Sequence, residues 1–238
     1  MYKYEISRKI EEFAPIEIQE DWDCSGWAVN VGGYDEIRKI MLCLTVTDDV
    51  VKQAKEQNCD MIVSHHPMFC INCHSELVSK SFIPQINIYC AHTNLDKANG
   101  GTTDTIIEKL GLSQYKIEIE HDFLRVIDYE TTVENFSNLI KKISPNARLV
   151  NNKSVQGFKR IAFCAGSGSE FIEQAQELGA DCLVTGDLKF HRALDSKIAV
   201  YDVGHFESEI IVLPVFERII GDEVEIVYAC EKSPFAQI

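Results

Sequence analysis

Asp60-Met61-Ile62-Val63-Ser64-His65-His66-Pro67 is the stretch on which the fold turns. Met61, Ile62 and Val63 make the short apolar run of a buried parallel strand. The run ends in two adjacent histidines, and Pro67 lacks the N–H needed to continue as sheet or helix. Ligands of open α/β sheets sit beyond the carboxyl ends of the strands, so two imidazoles here mark a candidate site. Successive side chains of an extended chain point to opposite faces, so the pair reads as one histidine for each of two metal ions. The same residues also fit a plain turn with one buried and one exposed histidine.

Upstream, Lys39 to Thr45 (KIMLCLT) predicts a buried strand, and Asp48 or Asp49 predicts the cap of a helix carrying Val50, Val51 and Ala54. Together with the Met61 run this is a βαβ unit, which makes parallel sheet. Before it, Ile6, Ile10 and Phe13 recur at helical spacing up to Pro15. Downstream, Ile86 to Ala91 predicts a further strand delivering His92, and Gly100-Gly101 opens a helix that stops at Gly111. The second half repeats this plan. At an offset of 121 residues, Ile40 falls on Ile161, Cys43 on Cys164, Gln53-Ala54 on Gln174-Ala175, Asp60 on Asp181 and Val63 on Val184, without a gap. Gly186-Asp187-Leu188-Lys189-Phe190-His191 then stands where His65-His66-Pro67 stood, and the strand Ile198 to Val203 delivers His205 as the Tyr89 strand delivers His92.

His92 is followed four residues on by Asp96, and His205 by Glu209. Positions i and i+4 share a helix face, so each pair can present an imidazole with a carboxylate. A lone pair of this kind reads as a surface or capping pair. Two at equivalent strand ends, beside His65-His66, read as metal ligands. Between the halves, Phe123 to Tyr129 predicts a strand and Thr131-x-x-Glu134 a capping box. Beyond His205, Glu207 to Ile220 predicts a helix kinked at Pro214, and Glu223 to Cys230 a half-buried strand.

The 238 residues are 45% hydrophobic, enough for one large or two modest cores. A net charge of −14 and a pI of about 4.9 argue against a phosphate-backbone partner, which would need clustered Lys and Arg. Neither a secretory h-region nor an apolar run of membrane-spanning length is visible. With nine cysteines in such a chain, the reading is reduced thiols and a cytoplasmic protein. Cys70-Ile71-Asn72-Cys73-His74 matches a haem-attachment pattern literally, but that attachment belongs to exported or organellar proteins. Gly166-Ser167-Gly168-Ser169 lacks the Walker lysine, so Ser167-x-x-Glu170 reads as a helix cap, with its amides offered to a phosphate as the alternative.

Five segments, in this order, carry a resemblance: Ser64-His65-His66-Pro67, Ala91-His92-Thr93-Asn94-Leu95-Asp96, Asn99-Gly100-Gly101-Thr102-Thr103-Asp104, Gly186-Asp187-Leu188-Lys189-Phe190-His191 and Gly204-His205-Phe206-Glu207-Ser208-Glu209. Over essentially the whole chain it resembles the Nif-three-like dinuclear-metal-centre family, often named GTP cyclohydrolase I type 2-like. The resemblance implies an α/β fold of two linked, pseudo-repeated domains with mostly parallel or mixed sheets, divided here at 1–121 and 122–238. It implies two divalent ions per chain (Zn, Fe, Mn or Ni), with His65, His66, Asp104, His205 and Glu209 as ligands and Glu209 bridging. His92, Asp96 and His191 are the implied proton-transfer candidates, with Asp187 beside the site. It also implies a homohexamer, acting as a hydrolase on a nucleotide-like or phosphorylated small molecule, or else as a metal-holding scaffold for protein partners. Neither a membrane nor nucleic acid is expected as a partner. The chain departs from the family pattern after its first helix, where Asp23-Cys24-Ser25-Gly26-Trp27 replaces the usual Asp-Asn-x-Gly-Leu.

Overall fold

Lys39–Thr45 (β2), Met61–His66 (β3) and Asn87–Cys90 (β4) pair in parallel in one sheet, and Gly157–Phe163 (β8), Cys182–Thr185 (β9) and Ala199–Asp202 (β10) do so in another. These assignments come from a computed structural model, which describes residues 1–33, 35–68, 86–119 and 121–235. The chain divides into two units, Met1–Ala98 with Val212–Ile238, and Asn99–Ile211.

In the first unit, Gly26–Val29 (β1) runs antiparallel to β4 at one edge, and Glu225–Tyr228 (β11) runs parallel to β2 at the other. The sheet order is β1-β4-β3-β2-β11. Lys3–Phe13 (α1) packs against Leu213–Ile220 (α9), and Asp48–Glu56 (α2) makes the crossover from β2 to β3. Its cap is Thr47, whose hydroxyl accepts the Val50 amide at 3.2 Å, one residue before the predicted aspartates.

In the second unit, Lys116–Ile117 (β5), Arg125–Thr132 (β6) and Arg148–Val150 (β7) extend the parallel core in the order β5-β6-β8-β9-β10-β7. Ile106, Ile107 and Leu110 of Thr102–Leu110 (α4) share a core with Ile127, Phe136, Phe158 and Ile161. That burial carries α4, and Asp104 with it, into the second unit rather than the first. The division at 121/122 expected from sequence therefore differs from these units at both ends, because β11 also returns to the first sheet. The predicted capping box at Thr131 lies one residue early: Thr132 accepts the Asn135 amide and starts Val133–Ile140 (α5).

The repeat holds at the level of register. Ile40 faces Met61 and Ile161 faces Cys182, each pair related by the same 121 residues. Asp60 Oδ2 accepts the Arg38 amide at 2.9 Å, and Asp181 Oδ2 accepts the Lys159 amide at 2.8 Å. The left-handed turn before the second strand falls on Asn58 (φ 57°) in one copy and Gly179 (φ 79°) in the other. Two halves that agree in carboxylate, turn and register share one folding plan.

Candidate metal centre

In the first unit, β3 carries His65 inward, where it is fully buried, and His66 half-buried at the strand end. His92 follows β4 and precedes the one-turn helix Thr93–Lys97 (α3). The three imidazole centroids lie 5.0, 5.3 and 5.6 Å apart, and one ring nitrogen of each comes within 4.8 Å of the others. Each ring is anchored through Nδ1. His65 Nδ1 is 2.9 Å from the Ala91 carbonyl, His66 Nδ1 is 2.7 Å from Thr45 Oγ1, and His92 Nδ1 is 2.9 Å from Asp23 Oδ1. A carbonyl or carboxylate can only accept, so neutral His65 and His92 carry their hydrogen on Nδ1 and a lone pair on Nε2. Ligating histidines are held in this way, with the second nitrogen tied to a polar support.

Asp96, on α3, brings Oδ1 to 3.5 Å from His65 Nε2. Burial pushes the His92 pKa down, and the His65 ring pushes the same way against the pull of Asp23. Burial alone would raise Asp23, but hydrogen bonds from Thr93 and His92 outweigh it and keep the carboxyl low. The first unit thus holds His92 toward its neutral form beside an ionised Asp23 carboxylate. Sequence reasoning placed His92 near the site, but it gave no role to Asp23, whose buried carboxylate holds that ring. Asp23 is a small polar residue in a turn, and the sequence signal there is indistinguishable from ordinary turn chemistry.

In the second unit, Gly204 (φ 86°) turns the chain from β10 into His205–Glu209 (α8). A short 3₁₀ turn, Ile210–Val212, separates α8 from α9, so Pro214 opens a new helix instead of kinking a long one. His205 Nδ1 lies 2.7 Å from Asp187 Oδ2, and its Nε2 lies 2.9 Å from Glu209 Oε2. Burial disfavours the imidazolium, but Glu209 and then Asp187 outweigh it and raise His205 to about 9. Two carboxylates around one imidazole form a place for positive charge, which a cation fills as well as a proton does.

The glycines around α8 keep that place open. A Cβ on Gly166 would meet Glu209 Oε1 at 2.1 Å, and one on Gly186 would meet the His205 backbone nitrogen at 2.7 Å. Asp187, at the repeat position of His66, holds φ at 49°, a left-handed conformation that Asp adopts more readily than most residues. The loop after β8 does not form the predicted cap. The Phe171 N-cap of Ile172–Glu177 (α6) has no side-chain bond, and Glu170 pairs with Lys189. Two of its amides are engaged, Gly166 N with Ser208 Oγ and Gly168 N with Thr185 Oγ1.

Asp104 has other partners. Its Oδ1 is 2.7 Å from Lys116 Nζ, and its Oδ2 accepts from Arg125 Nε and from the Gly100 amide, each at 2.9 Å. Both oxygens of the carboxylate expected as a ligand thus point to cations and an amide. His191, on Phe190–Asp195 (α7), is exposed with its ring against Phe190. Cys70, Cys73 and His74 lie outside the described residues. The donors brought together are imidazole and carboxylate, a set that suits Zn, Fe, Mn or Ni.

Proteins similar in sequence or fold agree on where this chain belongs. A Clostridium perfringens protein named GTP cyclohydrolase 1 type 2 homolog is 34% identical over 97% of this chain and 97% of its own length. Its namesake from Campylobacter jejuni is 29% identical over 97% of each. Among solved structures, reduced HcgD from Methanocaldococcus jannaschii superposes with a TM-score of 0.83 at 27% identity, covering 96% of this chain and 97% of that one. A Bacillus cereus protein related to NIF3 gives 0.83 at 18% identity over 100% and 99%, a likeness of fold. The profile of one family spans residues 1–234, and the chain belongs to that family, Duf34/NIF3 (NGG1p interacting factor 3).

Proposed function

We propose that this chain holds two divalent ions and is a metal-dependent hydrolase acting on a nucleotide-like or phosphorylated small molecule. The proposed ligands are His65, His66, Asp96, His205 and Glu209, with Asp96 in the place the resemblance gave to Asp104. The observation that carries the reading is the shared anchoring of the histidines: each Nδ1 is tied to a carbonyl, hydroxyl or carboxylate, which fixes the ring as ligating imidazoles are fixed. When bound, ions of this kind supply Lewis acidity and lower the pKa of a water.

The residues of the chain do the rest. Asp187 and Glu209 hold His205 in one orientation from its two ring nitrogens. Ser208 ties the loop before it, accepting from the Gly166 amide and donating to the His205 carbonyl. Asp23 keeps the hydrogen of neutral His92 on Nδ1, so in that state His92 has no Nε2–H to give a leaving group. His191, exposed four residues beyond Asp187, is the proposed proton donor. The name GTP cyclohydrolase 1 type 2 homolog, borne by relatives, favours a purine nucleotide among the substrates to try. The assembly proposed with this function is a homohexamer.

The test is metal analysis of protein purified without added metal, then a screen of nucleotide and phosphoester substrates with and without a chelator. Two ions per chain and chelator-sensitive turnover are expected. A chain that holds no ion overturns the reading. Two ions without turnover leave the metal-binding half and remove the hydrolase.

A further inference from the structure

We infer that Glu231 is a positioning residue of the metal centre: it fixes Thr45 at the end of β2, and Thr45 orients the His66 ring. This rests on the metal-binding reading above and deepens it, by bringing the C-terminal segment into the support of one ion.

The link begins at His66. Its Nδ1 lies 2.7 Å from Thr45 Oγ1, and the two residues stand opposite each other where β2 and β3 end. His65 is anchored by a carbonyl and His205 by a carboxylate. Those oxygens only accept, whereas a hydroxyl rotates and can donate or accept. A hydroxyl anchor is therefore only as well aimed as the residue that carries it.

Thr45 is fixed from the C-terminal segment. Glu231 Oε1 accepts the Thr45 amide at 3.0 Å, and Oε2 accepts the Leu44 amide at 2.6 Å. Successive N–H groups of a regular strand point to opposite edges, so a carboxylate that takes two in a row holds the strand end out of regular extension. Glu231 is itself clamped. Ala229 N donates to the Leu42 carbonyl at 2.9 Å. The Gln53 side chain on α2 donates to the Cys230 carbonyl at 3.2 Å and accepts the Cys230 amide at 2.8 Å. Burial raises the Glu231 pKa, and the two amides and the charge of His66 pull against it, which puts the carboxylate within electrostatic reach of that ring.

The repeat supplies a comparison. At the offset of 121 residues Asp187 stands for His66, and Gly166, which has no hydroxyl, stands for Thr45. The Gly166 amide goes to Ser208 Oγ and not to a carboxylate. The hydroxyl and the carboxylate behind it occur in the copy where a histidine has to be oriented. Supports of this kind behind a ligating histidine are worth about 10–100-fold in metal affinity.

The test titrates the whole chain with cobalt(II) against a competing chelator, following the visible bands. Wild type should take up two ions. Thr45→Val should weaken one of them about 10–100-fold and leave the other at its wild-type affinity, and Thr45→Ser should restore the first. Glu231→Gln should weaken the same ion. The double variant should bind that ion no more weakly than Thr45→Val alone, because Glu231 acts through Thr45. Should Glu231→Gln fail to fold, Glu231→Asp, a carboxylate one methylene shorter, takes its place with a smaller loss at the same ion. Unchanged affinities in the Glu231 variant, equal weakening of both ions, or losses that add in full overturn the proposal while the metal-binding reading stands. A wild-type chain that takes up no cobalt overturns both.

Discussion

Arg125 Nε donates to Asp104 Oδ2 at 2.9 Å, and the side chains of both residues are largely buried. With Lys116 on the other oxygen, this carboxylate is held by charge from two sides. Burial alone would raise its pKa, but Lys116 and then Arg125 outweigh burial and lower it.

Asp104→Asn is therefore expected to keep its ions and lose stability. Removing one member of a buried ion pair costs about 3 kcal/mol, read as the change in urea unfolding at pH 7. Because the folded-state pKa is depressed, the contribution is complete above the ordinary value of 3.8 and is lost as pH falls through the lower folded value. The gap between wild type and variant should close there. Asp96→Asn should do the reverse, with little change in folding and a loss of bound metal. An Asp104→Asn chain that folds normally but has lost an ion would return Asp104 to the ligand set.

Gly166→Ala should disturb Glu209 without touching it in sequence. The added methyl would collide with Glu209 Oε1, on a backbone with φ at 60°. The left-handed conformation adds about 1–2 kcal/mol of strain for a residue with a Cβ. The expected outcome is metal loss measured by elemental analysis, with circular dichroism close to wild type. Retained metal would show that Glu209 does not need its present position.

Glu209→Gln should lower the occupancy of both ions. A carboxylate can bridge two cations through its two oxygens, whereas an amide carries no compensating charge. His65→Ala should remove mainly one ion. Stoichiometry per chain decides, and two full ions in Glu209→Gln would end the bridging role.

The hexamer predicts a mass in light scattering of six times 27.0 kDa. On α7, Phe190 and Leu194 are 74% and 63% exposed, one turn apart, an apolar pair that an assembly could cover. A mass of one chain at micromolar concentration would remove the ring.

Much of this was legible because it is periodic. The βαβ unit around Met61 and its copy at 121 residues' distance rest on apolar runs and on Asp60 and Asp181, which seal strand to strand in the same way. His65, His66 and His205 stood out because they end or closely follow strands, and Glu209 because it lies four residues after His205. Asp104 and Asp96 show what the sequence leaves open. Each is an acid near the start of a helix, and the choice between them depends on whether Arg125 and Lys116 or His65 lie opposite, which is tertiary information. The caps at Thr47 and Thr132 were off by a residue because neighbouring residues, Asp48 in one case and Thr131 in the other, can fill the same role. The two units are interleaved along the chain because a segment's partners need not be its neighbours in sequence.

The return of β11 to β2 has a consequence for how the chain is made. The first sheet lacks its edge strand until Glu225–Tyr228 has left the ribosome, more than 180 residues after Lys39–Leu42, its partners in the register. At roughly 5–20 residues per second that is a wait on the order of ten seconds or more. Asn99–Ile211 is complete well before then and can fold during synthesis, while β2, already rich in apolar side chains, stays open along one side. A nascent chain stalled near residue 211 should therefore protect its later part from protease while its beginning remains cleavable and in need of a chaperone.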